Sequence, residues 1–264
     1  MNVIRKTFVF TSAILCALAY PCMSAPAGPM GKPGGYPVSS SNRFAVGAAA
    51  IVSESPYVDA DPRIIPVPLF SYRGPRFQLN GIRASYSLIQ SPFYSISPVA
   101  QWRFSPYESD DSPALHGMQE RPNTVDAGLR LSGPRFLPLD TGIEVRGDTF
   151  GAYDGLVTSL DLGWRFRYQK GMFRPFIRTE WLSPKLAEHL YGVRPDEVLP
   201  DRPAYSPDGS WQISLDSLLV HAFDNRWEFT ASAGLVFLDS EATESPIVDK
   251  STLWRTMAGF GYRF

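Results

Sequence analysis

The chain has 264 residues, 25 Lys+Arg against 26 Asp+Glu, and a formal net charge of −1. A balance this even gives no reason to expect a nucleic acid or other polyanion as partner. With 44% hydrophobic residues and a mean hydropathy of −0.13, the composition would suit a soluble protein, and equally a barrel with one polar face.

The N-terminus carries Arg5 and Lys6, then an apolar run from Phe8 to Ala19, then small residues. This pattern predicts a secretory signal over 1–27, with cleavage after Ala25-Pro26-Ala27; Ala17-Leu18-Ala19 is a second candidate. Both cysteines, Cys16 and Cys22, fall within it, so the mature chain is expected to have neither a disulfide nor a thiolate metal site. Residues 28–42, rich in Pro, Gly and Ser, read as a flexible periplasmic leader.

Beyond the signal no apolar run approaches the roughly 18 residues that a membrane helix needs. A membrane-spanning structure would therefore have to be a closed β-barrel, which satisfies its backbone amides between strands. Period-2 alternation fits that architecture over 43–264. Runs occur at 43–51, 63–72, 82–89, 92–104, 124–132, 137–148, 155–168, 172–182, 211–221 and 226–238. The last, Thr252 to Phe264, is the clearest. Trp254, Thr256, Ala258, Phe260, Tyr262 and Phe264 share one face, while Arg255, Gly259, Gly261 and Arg263 lie on the other.

These runs number eleven, whereas single-chain bacterial barrels have an even number of strands. A type I′ hairpin centred on Asn80-Gly81 adds a short strand at 76–79 and gives about 12; merging two runs would give 10. With Phe264 at the periplasmic end, tight turns at Ser91-Pro92, Gly133-Pro134, Gln169-Lys170-Gly171 and Asp224-Asn225 fall inside. The longer segments 105–123, 149–154, 183–210 and 239–250 then fall outside, in keeping with the short-inside, long-outside rule.

The faces assigned to the lumen carry Asp126, Arg130, Glu144, Arg146, Asp148, Asp161, Arg165, Arg167, Arg174, Arg178, Glu180, Asp216, Arg226, Glu228, Arg255 and Arg263. Their near balance predicts an ion-pair network filling the barrel; an arginine-lined channel would need a continuous surplus of one sign. His116, His189 and His221 fall in loops or at a strand end and read as solvated. No nucleophile elbow, P-loop, dinucleotide or zinc spacing is present, so no catalytic, cofactor-binding or metal site is expected. Asp110-Asp111-Ser112-Pro113 and Glu244-Ser245-Pro246 suit either turn formation at strand tops or an outward recognition surface.

Five segments together resemble the MipA/OmpV family of Gram-negative outer-membrane proteins: Tyr57 to Phe77, Asp110 to Met118, Leu190 to Gly209, Glu244 to Val248, and the closing Gly259 to Phe264. The resemblance implies a non-enzymatic barrel in the cell outer membrane, surrounded by lipid. It also implies a scaffold that holds a murein lytic transglycosylase near a murein synthase, or else an adhesin-like barrel; the small-solute channel alternative rests on the lumen arginines instead. The family has no agreed catalytic residues to carry over. Residues 57–61 read Tyr-Val-Asp-Ala-Asp where relatives more often have Tyr-x-Gly-Ser, which sets this loop apart.

Overall fold

The computed structural model describes residues 43–134, 138–224 and 226–264. The expected signal and leader, as well as Asn225 in the last tight turn, lie outside these residues. The fold is all-β: a closed antiparallel barrel of 12 strands, with no helix long and apolar enough to cross a membrane among the described residues.

In chain order the strands are β1 (Arg43–Ser53), β2 (Arg63–Arg73), β3 (Phe77–Asn80), β4 (Arg83–Tyr86, continued by Ile89–Gln90), β5 (Ser95–Arg103) and β6 (Thr124–Ser132). They continue as β7 (Leu139–Asp148), β8 (Leu156–Trp164, continued by Phe166–Tyr168), β9 (Gly171–Leu182), β10 (Ser210–Ala222), β11 (Trp227–Leu238) and β12 (Thr252–Arg263). Each pairs with its sequence neighbours, and β12 closes on β1 from Ala45↔Arg263 to Ser53↔Arg255. Closure pairs the backbone groups that an open sheet would leave exposed in hydrocarbon.

Alternation sets the two faces. Leu129, Ile143, Leu160, Ile213, Leu235 and Phe260 are exposed on the outer wall, where only lipid can receive so much contiguous apolar surface. An aromatic girdle gathers at the end with the tight turns: Phe44 lies 5.7 Å from Phe264, Tyr262 stands edge-on to Trp227 at 5.2 Å, and Phe229 meets Phe260 at 5.0 Å. The long connections 54–62, 104–123, 149–155, 183–209 and 239–251 all lie at the opposite end.

The hairpin needed to make the strand count even is present, shifted by one residue from its expected centre. Asn80 pairs with Arg83, so Gly81-Ile82 is the two-residue turn. Only Gly81 has positive φ, at 54°, which fits type II′ rather than I′ because the second central residue keeps a negative φ. Both arms are short: β2 pairs with β3 only from Ser71 to Arg73.

Candidate functional site

The inner half of the barrel is crossed by an ion-pair network on β4 to β9. Arg83 grips Glu144 with both terminal nitrogens and donates to Gln101 at 2.9 Å. Glu144 also lies 2.7 Å from Arg146 Nε and 3.3 Å from Arg130. Asp161 joins Arg130 and Arg178, each at 2.5 Å, and Arg103 pairs with Asp126. A separate pair, Arg255 with Asp216 at 2.7 Å, bridges β12 and β10. These groups are buried, so each charge depends on its partners for the solvation that water would give.

Alternation in the sequence located most of this network but did not include Arg83 and Arg103, although both stand on the buried parity of their strands. It also placed one residue wrongly. Arg226 is exposed in a turn-end connection and donates to Tyr262 on the outer face, because the strand begins one residue later, at Trp227. Arg167, exposed near the strand end, keeps its lumen-side parity: it stands opposite buried Met172, in the same register that pairs Gly163 with Phe176.

Above the network sits a cap. Five of the connections at the loop end fold inward and share one apolar core, including Tyr57, Tyr107, Leu115, Tyr153, Leu186 and Ile247. Within 183–209, helix α1 (Pro184–Tyr191) forms because Pro184 occupies its first position and apolar residues recur on one face. That face, with Leu186, Ala187 and Leu190, is buried in the cap. Polar ties lock the loops together: Tyr57 donates to the Leu190 carbonyl at 2.8 Å, Ser245 to the Tyr191 carbonyl at 2.6 Å, and Arg202 to the carbonyls of Ala114 and His116. Tyr153 joins the cap to the network by donating to Asp126 at 2.6 Å.

The loop segments singled out in the sequence do form turns, Asp111 accepting the Glu108 N–H at 2.7 Å and Ser245 Oγ the Ile247 N–H at 3.4 Å, and they are also tied into the cap, with Asp110, Pro113 and Glu244 left exposed. Ser112, Ser245, Ile247 and Val248 are buried. Asp59 has φ 53°, left-handed backbone that suits Gly and is tolerated by Asp.

His189 corrects the reading of the histidines as solvated. It is 3% exposed on the buried side of α1, 5.3 Å from the Tyr153 ring, and neither ring nitrogen has a hydrogen-bond partner among the described residues. Burial, reinforced by Arg121, Arg103 and Arg194, pushes its pKa down to about 3, so the ring is neutral. His116 is exposed, and His221 meets Tyr168 at the turn end. Burial also raises the Tyr107 hydroxyl to about 12.

A family model described as "MltA-interacting protein MipA" matches residues 46–264. The chain belongs to this family. It is 31% identical to the MltA-interacting protein of Escherichia coli K12 over 85% of this chain and 92% of that one. It is 23% identical to the putative outer membrane protein YiaT of the same strain, over 86% and 93%. Among solved structures, the translocator domain of the autotransporter NalP from Neisseria meningitidis aligns at TM-score 0.45 and 8% identity, covering 84% of this chain and 88% of that one. The KdgM porin aligns at 0.40 and 11%, covering 84% and 99%. The chain is an outer-membrane β-barrel of the MipA/OmpV family.

Proposed function

We propose that this protein is a non-enzymatic, poorly conducting membrane platform that holds murein-cleaving and murein-synthesising enzymes at the outer membrane. The observation that carries this reading is the double obstruction of the lumen: a buried cap over the loop end and a paired arginine-carboxylate network beneath it. Pairing consumes the space and the unbalanced charge that a selective ion path would need. Membership of the family, and 31% identity to a relative named as an MltA-interacting protein, support a murein lytic transglycosylase as one partner. Contact would run through the tight turns or the leader, since cell-wall enzymes work on the periplasmic side.

The test records conductance of the purified barrel in planar bilayers beside co-purification of murein enzymes from native envelope. Low conductance with an enriched transglycosylase supports the platform. Stable, ohmic conductance with no enriched cell-wall enzyme overturns it in favour of a channel.

A further inference from the structure

The barrel wall has a notch beside β2. β1 pairs with β2 without a bulge along all of Arg63–Arg73, so backbone parity carries through the whole strand. On the other side β3 reaches only Ser71, and Gly81 N–H donates to the Phe70 carbonyl at 2.8 Å. No strand lies beside that edge from Arg63 to Leu69 among the described residues.

Since Phe70 directs its polar backbone groups to the β3 side, Ile64, Pro66 and Pro68 of the same parity do so too. Two of these three have no N–H. Proline removes the donors whose exposure to hydrocarbon would be most costly, and it equally denies them to an added strand. The edge is therefore built to stand open, not to pair.

The notch has a floor, a far flank and a roof. The Gly81-Ile82 turn is the floor. Trp102 on β5, whose N–H donates to the Ile82 carbonyl at 3.0 Å, flanks it. Arg63 donates to the Pro106 carbonyl at 3.1 Å and pairs with Asp111, which holds 104–111 across the top. Behind it the lumen wall is apolar: Ile51, Ile65 and Met257 are buried, Val67 and Leu69 half-buried. Ile82 and Phe104, also half-buried, pack against this cluster from the notch. The outer wall beside it continues the lipid-facing belt through Ile64, Pro66, Pro68 and Phe70.

We propose that this notch is a lateral portal admitting the acyl chain of a membrane lipid to the apolar side of the lumen, with Ile82 and Phe104 as the side chains that yield. Two features select that occupant. Hydrocarbon is what adjoins the notch in a bilayer, and the prolines disqualify a pairing strand.

The full-length barrel would be reconstituted in phosphatidylcholine vesicles containing a lipid with a diazirine at its acyl terminus, irradiated and mapped by mass spectrometry. Adducts are expected at inward-facing Val67 and Leu69 besides the outer wall, with none at Leu218, which is buried on the fully paired β10. Ile82→Trp should fill the notch, and Val67→Gln should place an unpaired amide behind it; each should lower inward labelling about tenfold while heat-modifiable migration shows the barrel folded. Labelling confined to outward residues, as a notch filled by protein would give, overturns the portal. So does equal labelling of Leu218, or inward labelling indifferent to both variants.

Discussion

Arg121 and Glu197, 76 residues apart, form a two-pronged buried ion pair, Nη1 to Oε1 at 2.8 Å and Nη2 to Oε2 at 3.0 Å. The same carboxylate accepts the backbone N–H groups of Gln119 and Arg194, so one side chain ties loop 104–123 to loop 183–209. These bonds hold Glu197 below the usual carboxylate range despite burial, while the carboxylate raises the pKa of Arg121. Arg121→Met should leave a buried charge unpaired and weaken the cap by about 3–5 kcal/mol. Limited proteolysis should then cut within 183–209 while the barrel core stays heat-modifiable. Unchanged protease resistance would show that the pair is dispensable.

Acid should loosen the cap through His189. Its folded pKa of about 3 lies below the unfolded value of 6.5, so between these values the opened cap binds a proton that the closed cap does not. Stability is full above about pH 6.5 and falls with decreasing pH by up to about 1.4 kcal/mol per unit. Hydrogen exchange of α1 amides, compared at pH 7 and pH 5 after correction for intrinsic rates, should show faster opening at pH 5. His189→Leu should abolish that difference.

Charge on the lipid wall should be costly in a way the lumen wall is not. Leu235 faces lipid midway along β11, whereas Ser232 faces inward. Leu235→Arg should destabilise the barrel by about 2–4 kcal/mol and Ser232→Arg by clearly less, read from urea titrations in detergent or lipid. Equal losses would reverse the assignment of faces.

The terminal residue completes the closure. Phe264 donates its N–H to the Phe44 carbonyl at 3.0 Å and packs on the Phe44 and Tyr262 rings. Deleting it should lower the yield of folded, heat-modifiable barrel in the outer membrane; normal yields would show that closure does not need it.

Asp59 offers the opposite sign. Its left-handed backbone is strained for a residue with Cβ, so Asp59→Gly should be neutral or raise cap stability by up to about 1 kcal/mol, measured by the same proteolysis. A clear loss would mean that the carboxylate has a role in the loop.

By itself the sequence determined the barrel. Period-2 alternation depends only on which side of a strand meets lipid, so it is readable locally, and it placed Trp254, Phe260, Asp161 and Arg178 on their faces. The parity rule then called for a hairpin near Gly81, and the motif fragments pointed to the family. Tertiary structure alone decided where the loops go. Tyr57, Leu115, Leu186 and Ile247 have no shared period, since their contacts close over dozens of intervening residues, and the burial of His189 follows from that closure. The partners of Glu144 were equally hidden, because Arg83, Arg130 and Arg146 come from three strands and only the register brings them to one carboxylate. The open edge of β2 could not be read either: Pro66 and Pro68 mark an edge, but only the pairing shows on which side of the strand no neighbour stands.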